Sequence, residues 1–268
     1  NYIQNLPYTT PPDILLIDIG DSIENFMSST AQQQTNDLSL TDQLKTAQAL
    51  ILTAIRTFAP LTNQLTYAAV PSNHGSVRTA KGQANKANKP NDDFGLLIQH
   101  NIETAIGLFQ DYNPNPNPNP NPYQHVKFLR PETPYDEAVT YTTTATPSTP
   151  STPSTPSTPT TLGIVHGHQF GSQNNAEKWF SAQAFSRNNN LHNADVLVHG
   201  HFHNFNIKTT GDDRQIICTP SVDNGSSWFT NTMGDKLSPS LLTFMISGQQ
   251  SHDWMLWTDD TIPRTTAE

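Results

Sequence analysis

Four apolar runs in this chain each stop abruptly at residues that bind metals or move protons. "DILLIDIGD" (13–21) ends in Gly-Asp, and "QLTYAAV" (64–70) runs into "PSNHG". "LGIVHGH" (162–168) and "ADVLVHGHFH" (194–203) end in alternating Gly and His. Continuous aliphatic runs of this length are the pattern of strands buried on both faces, as in sheets covered by helices. In α/β architectures the loops beyond the carboxyl ends of such strands are where ligands bind. The pattern therefore specifies a scaffold and a site together.

The segments between the runs agree with this. Leu44, Ala47, Ile51, Ala54, Ile55 and Phe58 recur at helical spacing within Leu40–Phe58, with Thr41 as a plausible N-cap and Pro60 as the stop. A second helix is expected over about 92–110, capped by Asn91 or Asp92, with Leu97, Ile102, Ile106 and Phe109 inward. A third spans 174–187, with Ala176, Trp179, Phe180 and Phe185 as its apolar residues. "VKFLR" (126–130), "EAVTYTTT" (137–144), "FNIKTT" (205–210), "RQIICTP" (214–220), "LLTFMIS" (241–247) and "HDWMLW" (252–257) read as further strands. Helices alternate with strands early and strands dominate later. The expected fold class is α/β, with two sheets packed together and helices outside them.

Two low-complexity tracts interrupt this order. "NPNPNPNPNP" (113–122) places proline at alternate positions, which removes backbone donors and enforces extended geometry. The Ser/Thr/Pro repeat within 142–161 is flanked by strand-like sequence and is expected to be an overgrown hairpin loop, which loop-closure entropy tolerates. The chain is accordingly expected to be a single domain over 1–268 with two insertions.

Cys218 is the only cysteine, so no internal disulfide framework exists, which fits a reducing, cytoplasmic setting. No run approaches a membrane span, and no basic, apolar leader is present. The formal net charge is −9 with no basic block, which argues against a module that holds DNA by surface charge alone. An enzyme that offsets phosphate charge with metal ions is compatible with that balance.

Asp21, Asn73, His74, His166, His168, His201 and His203 all stand at strand ends. One carboxylate, one carboxamide and several imidazoles make a mixed oxygen and nitrogen donor set, which suits Mn, Fe or Zn better than Mg or Ca. Six of the ten histidines fall within 166–203, five of them in the two Gly/His motifs. His199 is expected to be a strand-end packing residue. His168 is expected either behind the ligands or on the substrate side.

"GD" (20–21), "SNHG" (72–75), "VHGH" (165–168) and "GHFH" (200–203) resemble, in order and spacing, the motifs of calcineurin-like metallophosphoesterases. "VHGHQF" and "DNGSSWF" (223–229) resemble phage and actinobacterial members, some of them DNA-repair-exonuclease-like. The resemblance implies a four-layer α/β/β/α sandwich of two mixed sheets. It implies two divalent transition-metal ions, Mn foremost, with Asp21 bridging them. Asn73, His166 and His201 would complete one site, and His203 would belong to the other. His74 would stabilise the phosphoryl oxygens and protonate the leaving oxygen. The implied activity is hydrolysis of a phosphodiester, DNA included, by a hydroxide that two metal ions activate.

Three departures stand out. Nothing in "NYIQNLPYTTPP" (1–12) matches the family's opening Asp-x-His, so the first strand is expected to be missing from this chain. Gly75 stands where the family carries an acidic residue that orients the histidine, for which Asp92 or Asp93 is a substitute. Ser72 replaces a glycine. These departures motivate the alternative of a catalytically impaired descendant that keeps one metal as a structural staple or binding module. Arg78 as a loop cation, Glu24 and Asn25 as helix-start caps, Trp228 and Phe229 as packing residues, and Cys218 as a small buried hydrophobe complete the reading.

Overall fold

The run at 13–21 forms strand β1, Ile14–Asp18, and stops where Gly20 takes a left-handed conformation at φ 93°. In the computed structural model, residues 11–26, 36–77, 89–111, 122–143, 158–223 and 238–261 are described. Arg78, Trp228, Phe229, the side chain of Phe109, residues 113–121 of the Asn-Pro tract and residues 144–157 of the Ser/Thr/Pro repeat lie outside them. The chain divides into two compact units, Asn1–Val139 and Thr140–Glu268.

In the first unit, β1 is followed by α1 (Leu40–Phe58), β2 (Leu65–Ala69), α2 (Phe94–Asp111) and β3 (Val126–Leu129). The strands form a parallel sheet in the order β1-β2-β3, with Ile14 opposite Leu65 and Leu65 opposite Val126. Parallel neighbours need long crossovers, and the two helices supply them. Every residue of the central strand β2 is buried, which explains its unbroken apolar sequence. Ile55 from α1 and Ile98, Ile102 and Ile106 from α2 pack in one core with Leu65 and Tyr67.

Two details differ from the expectation. The cap of α1 is Ser39, whose Oγ accepts from the Asp42 N–H at 3.2 Å; Thr41 is already helical. Alanine at Ser39 is expected to lower stability by about 1 kcal/mol in urea unfolding. On α2 the inward face uses Leu96 and Ile98, and Leu97 is exposed. The helix begins later than expected, at Phe94, and its cap is Asp93, whose Oδ1 accepts from the Leu96 N–H.

The second unit holds a five-stranded sheet, to which β4 (Ala138–Thr142) contributes from the point where the units divide. Its order is β4-β5-β6-β8-β7, with β5 at Thr161–Val165, β6 at Val196–His199, β7 at Asn206–Thr209 and β8 at Gln215–Cys218. β5, β6 and β8 are parallel, and β7 joins β8 antiparallel at the edge. Helix α3, Ala176–Phe185, lies in sequence between β5 and β6. β4 and β5 are neighbours, and the Thr143 N–H donates to the Thr160 carbonyl at 2.9 Å, closing the base of the Ser/Thr/Pro insertion as a hairpin requires. β9 (Ser240–Ser247) and β10 (Gln250–Thr258) form an antiparallel ribbon. The protein is thus α/β, with sheets and helices where the strand and helix patterns indicated. Among the described residues, no helix is long and apolar enough to cross a membrane.

Candidate functional site

β1 delivers Asp18 at its last position, and the next three residues turn the chain. Gly20 and Asp21 are both left-handed, at φ 93° and 54°. The Asp18 carboxylate holds that turn: it accepts from the Gly20 N–H (3.1 Å), the Ser22 hydroxyl (2.8 Å) and the Tyr67 hydroxyl (2.8 Å). Burial first, and the neighbouring Asp18 charge second, push the Tyr67 hydroxyl well above its usual pKa, so it remains a donor. Asp18 is not among the expected site residues; its signal in the sequence is a carboxylate inside an otherwise apolar run. With Asp18 engaged, Asp21 is the carboxylate presented beyond the turn. Its Oδ1 accepts from the His74 N–H at 3.0 Å, tying the first motif to the second.

The second motif is a tight turn after β2. The Gly75 N–H donates to Ser72 Oγ at 3.0 Å, so Ser72 closes the turn. Asn25 is buried, and its Nδ2 donates to the His74 carbonyl at 2.8 Å. Glu24 Oε2 lies 3.2 Å from His74 Nδ1. Glu24 and Asn25, expected as helix-start caps, cap no helix, because described residues 21–26 form bends and irregular backbone. Left-handed Asp21 and Asn25 (φ 64°) bend the segment so that Glu24 meets His74 and Asn25 clamps its backbone. The acid beside His74 is Glu24, where Asp92 or Asp93 was expected; Asp93 is buried and bonded to the Ser72 N–H instead. Burial, opposed by backbone donors, pushes Asp93 up to about 6.

In the second unit, parallel pairing places Val165 opposite His199, so β5 and β6 end side by side. The Gly200 N–H donates to the His166 carbonyl at 2.9 Å, and the two loops leave the sheet joined. Gly167 is left-handed at φ 114°, and a Cβ there would meet the Gly200 carbonyl at 3.0 Å and His199 Nδ1 at 3.2 Å. The rings of His166 and His201 are 5.1 Å apart, His166 and His168 5.5 Å, and His168 and His201 6.3 Å. Imidazoles sharing one ion at ordinary metal–nitrogen distances have centroids about 5 Å apart, so His166 and His201 fit a shared ion, and His168, 6.3 Å from His201, stands beside them. His166 is buried and His201 half-buried. His203 is also half-buried, two residues on.

His199 serves packing, as expected. It is buried against Phe170 and Phe202, with centroids at 5.0 and 5.9 Å. Burial lowers its pKa to about 4, so the ring is neutral near pH 7. Its Nδ1 lies 3.0 Å from the Gly200 carbonyl, which can only accept, so Nδ1 carries the proton. Cys218 is buried beside this loop, and burial raises its thiol to about 12. A thiol reagent at pH 8 is expected to leave it unmodified until the protein unfolds, when one equivalent reacts.

Non-glycine residues in the left-handed region are uncommon and cost about 1–3 kcal/mol where strained, which structures retain mainly where function needs them. Asp21, Asn25, His201 (φ 70°) and His203 (φ 57°) take it within or beside the candidate motifs, while Asp212, Asp213, Gln249 and Asp253 take it in turns and the β9–β10 ribbon elsewhere.

No protein-family model matches the chain, and no curated protein matches its sequence. Among solved structures, Vps29 from Entamoeba histolytica complexed with zinc is similar at 12% identity and a TM-score of 0.33, covering 87% of this chain and 85% of that one. Vacuolar protein sorting 29 from Cryptosporidium parvum is similar at 10% identity and a TM-score of 0.30, covering 92% and 97%. Likenesses at this level carry no argument about function.

Proposed function

We propose that this chain is a metal-dependent phosphoesterase that hydrolyses phosphodiester bonds, with DNA among its substrates. The observation that carries the reading is the approach of the His166 and His201 rings to 5.1 Å just beyond the ends of adjacent parallel strands, with left-handed Gly167 and His201 turning the chain there. The proposed ligands are Asp21 and Asn73 through oxygen, and His166, His201 and His203 through nitrogen, for two divalent ions, Mn before Fe or Zn. Bound ions supply Lewis acidity, which offsets phosphoryl charge and makes water nucleophilic near neutral pH. The chain's own contribution is proton handling. His74 gives its Nε2 proton to the leaving oxygen, while Glu24, 3.2 Å from Nδ1, orients the ring and offsets the charge of its protonated form. With a net charge of −9 and no basic block, the chain offers little positive surface to substrate phosphate, and bound ions would supply that charge.

The test is to strip the protein with chelator, reload it with Mn²⁺, Fe²⁺ or Zn²⁺, count bound ions, and assay a chromogenic phosphodiester and single-stranded DNA. Turnover of either substrate is expected with two ions bound, the one left with only Asp21 and His203 binding weakly because this sequence shows no opening Asp-x-His. His74→Asn is expected to keep the ions and lose about 10²–10⁴-fold in kcat, the usual range for general acid–base groups. One tight ion per chain, full folding and no hydrolysis would replace this reading with the single-metal module.

A further inference from the structure

One residue that holds the Asn73–His74 turn comes from outside every motif. Asp93 is 4% exposed, and its Oδ2 accepts from the Ser72 N–H at 3.0 Å while its Oδ1 accepts from the Leu96 N–H at 3.1 Å. The backbone repeats the link. The Phe94 N–H donates to the Gly75 carbonyl at 2.8 Å, and Ser76 forms an isolated antiparallel bridge with Asp93. The carboxylate also occupies the space a side chain at position 75 would need, because a Cβ on Gly75 would lie 2.3 Å from Asp93 Oδ2. Gly95 is constrained from the other side, where a Cβ would lie 3.0 Å from Oδ1. The missing side chain at 75 and the buried acid at 93 are therefore two aspects of one arrangement.

We infer that Asp93 is a positioning residue for Asn73 and His74: its carboxylate, seated where residue 75 would project, locks their turn to the amino end of α2. The catalytic consequence rests on the phosphoesterase reading, but the geometry does not. A cap alone would stabilise α2 without touching the turn. Asp93 joins Leu96 to Ser72 through its two oxygens, so losing either bond loosens the segment that carries the carboxamide and the imidazole and leaves the backbone link to hold it. Asparagine keeps the size and one acceptor, but its amide must face one of the two N–H donors, so one bond is lost. Serine keeps a helix cap and vacates the space in front of Gly75.

The experiment compares the full chain with Asp93→Asn, Asp93→Ser, Gly75→Asp and the Asp93→Ser/Gly75→Asp pair. Mn²⁺ titration calorimetry, NMR of the His74 ring and diester kinetics are the readouts. Asp93→Asn is expected to fold, to weaken Mn²⁺ about 10–100-fold as loss of an outer-sphere partner does, to shift the His74 ring resonances and to lower kcat more than it changes KM. Gly75→Asp is expected to misfold or melt early alone and to be rescued in the Asp93→Ser background. A folded Asp93→Asn with unchanged Mn²⁺ affinity and unchanged His74 resonances overturns the inference, as does a Gly75→Asp equally tolerated in both backgrounds. If no version hydrolyses a diester, the phosphoesterase reading falls, and the titration and resonances still decide the role of Asp93. If the parent binds no Mn²⁺ either, the resonances and the rescue pair decide it.

Discussion

Alanine at His166 or His201 is expected to abolish tight divalent-metal binding, with affinity falling by more than about 100-fold. Replacing an outer-sphere partner alone costs about 10–100-fold, and these two rings are proposed as direct ligands. The measurement is metal content after dialysis, paired with thermal unfolding at graded Mn²⁺. An ion bound only by the folded chain stabilises it by about 2.7 kcal/mol at one hundred times its dissociation constant, so the parent should gain melting temperature and the variants should not. Turnover of a chromogenic diester should disappear with the ion. His168→Ala is the informative companion: its ring lies 5.5 Å from His166 and 6.3 Å from His201, outside the proposed ligand set. It should retain the ions with reduced affinity. Variants of His166 and His201 that keep their full metal complement would remove the basis of the proposed function.

The second large effect concerns backbone. Gly167→Ala should destabilise the protein by about 2–5 kcal/mol in urea unfolding, from a left-handed alanine at about 1–2 kcal/mol and overpacking at about 1–3 kcal/mol. The clash is specific, because the new methyl would press on the Gly200 carbonyl at 3.0 Å and on His199 at 3.2 Å. The Gly200 carbonyl is backbone and His199 Nδ1 is a side-chain atom, both in the segment leading into His201, so the variant should also lose metal affinity. Gly171→Ala is the control. Gly171 is left-handed at φ 65°, but a Cβ there would have no heavy atom within 4 Å, so only the conformational cost of about 1–2 kcal/mol should appear. Equal losses at the two positions would show that the close approach at Gly167 is not real.

Much of the scaffold was legible because burial leaves a local trace. The unbroken apolar content of "LTYAA" follows from its place as the central strand of a parallel sheet, and the burial of all four β6 residues explains "VLVH" in the same way. Helix α1 was readable to its end because its inward residues repeat at the helical period and Pro60 cannot continue it. Caps were not readable to the residue. Ser39 and Thr41 are both good caps by type, as are Asn91, Asp92 and Asp93 by position, and only the hydrogen bonds from Asp42 and Leu96 choose among them. Leu97 misled because it sits about 100° round the helix from Ile98, and the inward stripe runs through Ile98, Ile102 and Ile106.

At the site, sequence alone determined which residue types stand at the strand ends, because Gly and His following an apolar run are visible without a fold. It also marked His199 as the packing histidine, since the last residue of a buried strand is still inside the sheet. Only the tertiary structure decided that Glu24 faces His74, that Asn25 clamps that turn, and that Asp93 fills the space at Gly75. Those partners are separated by up to about fifty positions along the chain, and their pairing depends on left-handed turns and crossover helices. No local propensity encodes it. A one-dimensional pattern records how each segment meets solvent, whereas contacts between segments exist only once the chain has closed on itself.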